Sequence, residues 1–296
     1  MVELLGPGLA VAAALFLAIQ VGCIRIGTDS GRSNDALIVV LLVNITVLVP
    51  VALVVGYPDY SLSRNSLLAF AAAGLVGTMM GRAFEYAGIE RIGASRSEPI
   101  KASQPLHAAV LAVLVLGETL TPVMAVGTVL VVVGVAIISW ESRSSSTGLE
   151  SISWSYLALP LASAFLYGIE PIFAKVGLAT GTSPFVGLGV KTVTATVAFY
   201  AYLRYRGVLP ERGVFESVNT KWYVAAGLAN SAFLLSYYAA LAVAPVVLVQ
   251  PVLQTSPLFV ILISYVFLQR LERVTWKIVA AAGIVALGAG LVALQV

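Results

Sequence analysis

The 296-residue chain is 59% hydrophobic and only 10% charged, with a mean hydropathy of +0.98. That excludes an ordinary soluble domain, in which about half of the residues are apolar and about a quarter are charged. The net charge of +3 is spread over loops, so the lipid bilayer is an expected partner and nucleic acid is not.

In chain order, ten apolar runs each approach the roughly 20 residues that a spanning helix needs. They cover about 5–26, 36–56, 66–87, 93–116, 120–140, 154–175, 184–206, 222–243, 246–268 and 274–295. The prediction is an all-α, multi-pass integral protein of the cell membrane with ten transmembrane helices. The connections are short and carry turn residues, as in "GTDSGRSND" (27–35) and "GETLTP" (117–122).

The first run lacks a basic leader and is too long for a secretory signal, so it reads as helix 1. Cys23 lies in it and is the chain's one cysteine, which excludes an internal disulfide. Helix 2 carries Asn44. Helix 3 contains "GLVGTMMG" (74–81), whose small residues permit close helix approach. It continues as "GRAFEYAG", with Glu85 three residues and Tyr86 one turn beyond Arg82. Arg82 and Glu85 form a buried structural pair, or Arg82 offers its planar fork to a substrate carboxylate.

Helix 4 contains the most polar stretch within a span, "RSEPIKASQPLH" (96–107). A charge at the bilayer centre costs at least about 2.5–3.5 kcal/mol, so these residues must face water, a ligand or each other. Glu98, Lys101 and Gln104 share one helix face, which His107 continues. Pro99 and Pro105 free backbone carbonyls, and irregular backbone at membrane depth is tolerated where it lines a cavity. Glu98 and Lys101 are therefore expected on a cavity wall, with Arg96 at the interface.

In helix 6, "YGIEPIFAK" places Glu170 at mid-span before Pro171, a candidate for binding an amine or a coupling proton. Lys191 lies mid-span in helix 7 and is its candidate partner. Helix 8 carries Asn230, which with Asn44 reads as interhelical hydrogen bonding but stays a binding candidate. Tyr237 and Tyr238 follow it, and Tyr238 could stack on a substrate. Helix 9 contains "VQPVLQTSP", with Gln250 and Gln254 one turn apart. Helix 10 ends in "GIVALGAG" (283–290), which suits packing inside one subunit or a dimer seam.

The two halves repeat. "FEYAGIERIGASRSEPIKASQPL" (84–106) aligns with "SYYAALAVAPVVLVQPVLQTSPL" (236–258), pairing Tyr86 with Tyr238, Glu98 with Gln250, and Pro99 and Pro105 with Pro251 and Pro257. "IQVGCIRIG" (19–27) aligns with "IEPIFAKVG" (169–177), pairing Gln20 with Glu170. "GETLTP" aligns with "LERVTW" (271–276), pairing Glu118 with Glu272. The expected organisation is one five-helix repeat over 1–143, a Ser-rich linker over 144–153 and a second five-helix repeat over 154–296. Five spans per half is odd, so the second copy enters the membrane inverted, as in secondary transporters with a midplane site.

Five plus five helices, the Pro-Leu pair in helices 4 and 9, and the "GETL" and "LERVT" segments resemble the drug/metabolite transporter (DMT) superfamily, in particular its EamA-type members. The second half departs from the Gly-Glu pair with Leu271-Glu272. The resemblance implies a ten-helix bundle with a cavity lined by helices 1, 3, 4, 6, 8 and 9, alternating access, and export or uptake of small metabolites. Helix 7 is not in that set, which ranks Lys191 behind Glu170. It also implies cytoplasmic termini. The Lys and Arg residues concentrate in the opposite loops and argue for termini outside; orientation stays open.

An enzyme is not expected. One His and one Cys cannot build a conventional metal site, and no H-E-x-x-H, G-x-S-x-G or nucleotide-binding loop is present. No cofactor or metal is expected. Intramembrane charges of both signs suggest a carrier for a small polar metabolite, an amino acid or related zwitterion, with proton coupling through Glu98 or Glu170 as an option. Organic anions or nucleotide sugars are the second transport reading, and a membrane scaffold or receptor is the reading outside transport. The protein would act as a monomer or homodimer.

Overall fold

The computed structural model describes residues 4–28, 33–92, 94–141, 154–207, 217, 219–267 and 275–295. Among them, ten helices are long and apolar enough to cross a membrane. They are α1 (Leu5–Thr28), α2 (Asp35–Gly56), α3 (Arg64–Ile89), α4 (Ser97–Leu116), α5 (Pro122–Glu141), α6 (Ala158–Leu178), α7 (Pro184–Arg206), α8 (Thr220–Val243), α9 (Val246–Ile263) and α10 (Trp276–Ala293). No strand occurs among the described residues. Hydrocarbon offers no hydrogen-bond partners, so a spanning segment satisfies its backbone internally, as a helix does. The predicted linker 144–153, Leu271 and Glu272 lie outside the described residues, as do the side chains of Tyr86 and Arg96.

The residue distribution is that of a membrane protein. Val54, Leu114, Leu228 and Leu287 are exposed, whereas Gln20, Asn44, Glu170, Lys191, Asn230 and Gln250 are buried. Apolar side chains face outward because lipid is as apolar as they are. Polar side chains turn inward because hydrocarbon leaves them unpaired.

Helix neighbours reproduce the internal repeat. Helix α1 packs on α8 and α9, and α6 packs on α3 and α4. Helix α2 packs on α7 and α8, and α7 on α2 and α3. Helix α5 packs on α4 and α10, and α10 on α9 and α5. Exchanging each helix for the one five places along leaves this pattern unchanged, as a pseudo-two-fold axis requires. The halves interdigitate rather than stand apart, since α1 lies against two helices of the second half. Gly127 and Gly288 bring the backbones of α5 and α10 into contact, so part of the helix 10 glycine run serves packing within one chain.

Two helices break at equivalent places. Helical hydrogen bonding in α4 lapses between Lys101 and Gln104, and in α9 between Leu253 and Ser256. At the first break Ser103 Oγ donates to the Ile100 carbonyl at 2.7 Å. At the second, Thr255 Oγ1 donates to the Val252 carbonyl at 2.8 Å. Each hydroxyl joins the N–H of its own residue on the same carbonyl, and each helix resumes with a proline at its second residue, Pro105 or Pro257, which has no N–H to lose at a helix start. Helix α3 has a different irregularity, a π-helical stretch over Gly74–Gly81. Such stretches occur frequently at functional sites.

Candidate functional site

A cavity of about 250 Å³ lies between the repeats, with walls from α1, α2, α3, α4, α6, α7, α8 and α9. Of the residues singled out from sequence, Arg82, Glu85, Lys101, Gln104, Glu170, Asn230, Gln250 and Gln254 line it. Glu98 and Tyr238 stand behind wall residues and bond to them. His107 leaves the expected face: its Nδ1 lies 3.0 Å from the Ser103 carbonyl and its ring meets Phe165 edge-on.

Close approach of α3 shapes one wall. A Cβ on Gly77 would fall on the Glu170 side chain, and one on Gly81 would stand 3.1 Å from the Tyr167 ring. Glycine is what lets the π-helical stretch lie against α6 there. Ser163 Oγ donates to the Gly81 carbonyl at 3.0 Å, satisfying an acceptor where the π-helical stretch ends.

The charged groups form two clusters. In the outer one, the Lys101 ammonium bonds to Glu85 of α3 and, at 2.9 Å, to Glu98 Oε2 one turn back on α4. Tyr167 of α6 donates to Glu85 Oε2 at 2.7 Å. Glu85 therefore finds Lys101 on a neighbouring helix. The sequence pairing offered it only Arg82, which lines the same cavity.

The inner cluster centres on Glu170. Lys191 Nζ lies 2.8 Å from Glu170 Oε1, and Tyr238 donates to the same oxygen at 3.0 Å. Lys191 also sits 5.0 Å from the centre of the Tyr238 ring, where the ring face attracts a cation. Gln250 Nε2 donates to the Tyr237 hydroxyl at 2.6 Å, and Gln104 Nε2 donates to Gln250 Oε1 at 3.3 Å. The two broken helices thus meet through their glutamines beside the inner pair.

Exposure grades along the cavity. The side chains of Lys101 and Glu98 are 25% and 22% exposed, against 7% for Lys191 and 10% for Glu170. The outer cluster lies toward the α3–α4 turn, on the face opposite the termini. Toward the termini, Ala10, Ala13 and Ala14 of α1 pack with Ala108 and Ala112 of α4 and with Leu241 and Val246–Val249 in one apolar cluster. Glu118, in the turn after α4, accepts hydrogen bonds from the Val246 and Val247 N–H groups at 2.9 and 3.0 Å. It holds the start of α9 against that turn, where the helix dipole favours a carboxylate. A left-handed glycine, Gly117 at φ 67°, sets that turn.

The resemblance leaves helix 7 out of the cavity and places Lys191 behind Glu170. The structure puts α7 on the wall with Lys191 and Thr192. Tyr167 went unnoticed, although it stands three residues before Glu170 and so on the same helix face. Gln20 was seen only as the repeat counterpart of Glu170; it too lines the cavity.

The sequence profile of the EamA-like transporter family matches residues 4–140 and 153–294. A stretch of 75 residues, 25% of this chain and 23% of the other protein, is 39% identical to an uncharacterised transporter, sll1319, of Synechocystis sp.. The curated relative is thus matched over about a quarter of its length. A solved crystal structure with 14% identity superposes with a TM-score of 0.75 over 97% of this chain and 96% of that one, a likeness of fold. Two profile matches that together take in all ten spans leave one conclusion: the chain belongs to the EamA-like transporter family and is a multi-pass membrane protein.

Proposed function

We propose that the protein is an alternating-access carrier for a small zwitterion of the amino-acid type. The observation that carries this reading is the pairing of charges around one cavity. Lys101 stands between Glu85 and Glu98, and Lys191 bonds Glu170. Removing one partner of a buried pair strands the other charge. A substrate with a single charge would do that when it entered. A zwitterion can replace both partners at once, its carboxylate taking a lysine and its ammonium the glutamate released. Lys101 or Arg82, both on the cavity wall, would receive the carboxylate. Glu170 would receive the ammonium or a coupling proton, and Glu98, behind the wall, would hold Lys101.

Size supports a small substrate. Drug-sized ligands occupy pockets of about 300–1,000 Å³, and this cavity is about 250 Å³. That weighs against a nucleotide sugar. A space of this kind between the charged groups also weighs against a scaffold, in which costly intramembrane charges would pair with nothing between them.

The test is a thermal-shift screen of the purified protein with amino acids, organic anions, nucleotide sugars and cationic drugs. A ligand that binds only the folded state stabilises it by RT ln(1 + [L]/Kd), about 2.7 kcal/mol at a hundredfold excess over Kd. Stabilisation by amino acids that vanishes in Lys101→Ala is the expected result. Stabilisation by anions alone would replace the zwitterion reading.

A further inference from the structure

The cavity has an uncharged wall that the paired charges do not use. Ser231 Oγ donates to Asn44 Oδ1 at 2.9 Å, Asn44 Nδ2 to Asn230 Oδ1 at 2.7 Å, and Asn230 Nδ2 to Gln20 Oε1 at 2.7 Å. Four buried side chains from α8, α2 and α1 thus form one chain of hydrogen bonds running toward Gln20. Hydrogen bonds in series polarise one another, which strengthens the terminal group as a donor. At that terminus, Gln20 Nε2 has no partner among the described residues, although Gln20 is only 6% exposed. Gln20 lines the cavity together with Asn44 and Asn230.

A buried donor left without a partner is costly, so the Gln20 amide N–H must be met by whatever fills the cavity. Its place in the repeat sharpens the point. Gln20 is the first-half counterpart of Glu170. The same position in the two repeats presents a carboxylate from α6 and a carboxamide from α1 to one space. Ion-pair exchange occupies the first. A neutral polar group suits the second.

We infer that Gln20 is a specificity-determining residue that reads an uncharged hydrogen-bonding group, a hydroxyl or carboxamide, on the substrate. This rests on the zwitterion reading and deepens it: the preferred substrates are amino acids with polar, uncharged side chains. A site built to hydrogen-bond a substrate hydroxyl discriminates strongly against the analogue that lacks it, because the site's own polar group is then stranded.

The experiment is uptake into proteoliposomes of threonine and valine, which have the same shape and exchange a hydroxyl for a methyl, by wild type and Gln20→Met. Wild type should favour threonine by about tenfold or more. Gln20→Met should bring the threonine-to-valine ratio near one, whatever the absolute rate of either. If that variant does not yield folded protein, Gln20→Asn, which retracts the carboxamide by one methylene, should lower the ratio instead. Equal uptake of the two by wild type, or a threonine preference that survives the Gln20 substitution, would overturn the inference and leave the zwitterion reading standing. Uptake of neither would overturn both.

Discussion

The Glu170 carboxylate and the Lys191 ammonium meet at 2.8 Å from adjacent helices, α6 and α7, on the wall of the cavity. Both are buried. Losing one member of such a pair costs about 3–5 kcal/mol, whereas exchanging both for groups of similar volume can be nearly neutral. Lys191→Met alone should therefore lower the melting temperature sharply in detergent, and adding Glu170→Gln should recover most of the loss. Thermal unfolding of the two single variants and the double variant measures this coupling. Equal, additive losses would mean that the pair does not interact.

Tyr238 tests the support of that pair. Its ring is fully buried and its hydroxyl donates to Glu170 Oε1 at 3.0 Å. Tyr238→Phe keeps the ring and removes the donor. Hydrogen bonds to charged groups contribute about 1.5–3 kcal/mol, so a loss of that order is expected in thermal unfolding. In the Glu170→Gln background the same substitution should cost clearly less.

Helix approach at Gly77 gives a contrast within one residue type. Gly77→Ala would drive its Cβ into Glu170, whereas a Cβ on Gly283 meets nothing within 4 Å. Gly77→Ala should cut transport by an order of magnitude or more, since misplacement by about 1 Å can cost a hundredfold. Gly283→Ala should transport as wild type. Uptake rates in proteoliposomes, normalised to folded protein, decide it.

Glu118 supplies a prediction about the closed side. Its two carboxylate oxygens take the Val246 and Val247 N–H groups, and losing a helix cap costs about 0.5–2 kcal/mol. Glu118→Ala should destabilise by that amount. Glu118→Gln, which keeps one acceptor oxygen, should lose less. Both should leave substrate affinity within a few-fold of wild type, because Glu118 is not on the cavity wall.

The parts of the structure that were legible in the sequence rest on local patterns. Ten apolar runs fix ten spans because helix length is set by bilayer thickness. Prolines beside hydroxyl residues in "KASQPL" and "LQTSPL" mark the two breaks because the interruption is written into the chain there. The Glu98–Lys101 contact follows from a spacing of three residues. What stayed hidden is long-range. Asn44 and Asn230 read as interhelical hydrogen-bonding residues, but that Asn230 reaches Gln20, 210 residues away, does not follow from the sequence. Glu85 bonds Lys101 on the next helix, a partner that its own helix face does not suggest. The π-helical stretch at Gly74–Gly81 reads in sequence only as small residues, because its extra residue per turn comes from packing against α6 and α7.

On the proposed mechanism, substrate enters by replacing an internal ion pair with its own two charges. The most direct measurement is competition against amino-acid uptake in proteoliposomes by three analogues: an amino acid, its deaminated acid and its decarboxylated amine. The account expects the zwitterion to compete and each singly charged analogue to compete at least about tenfold more weakly, a difference of about 1.4 kcal/mol. An acid or an amine that competes as well as the zwitterion would contradict it.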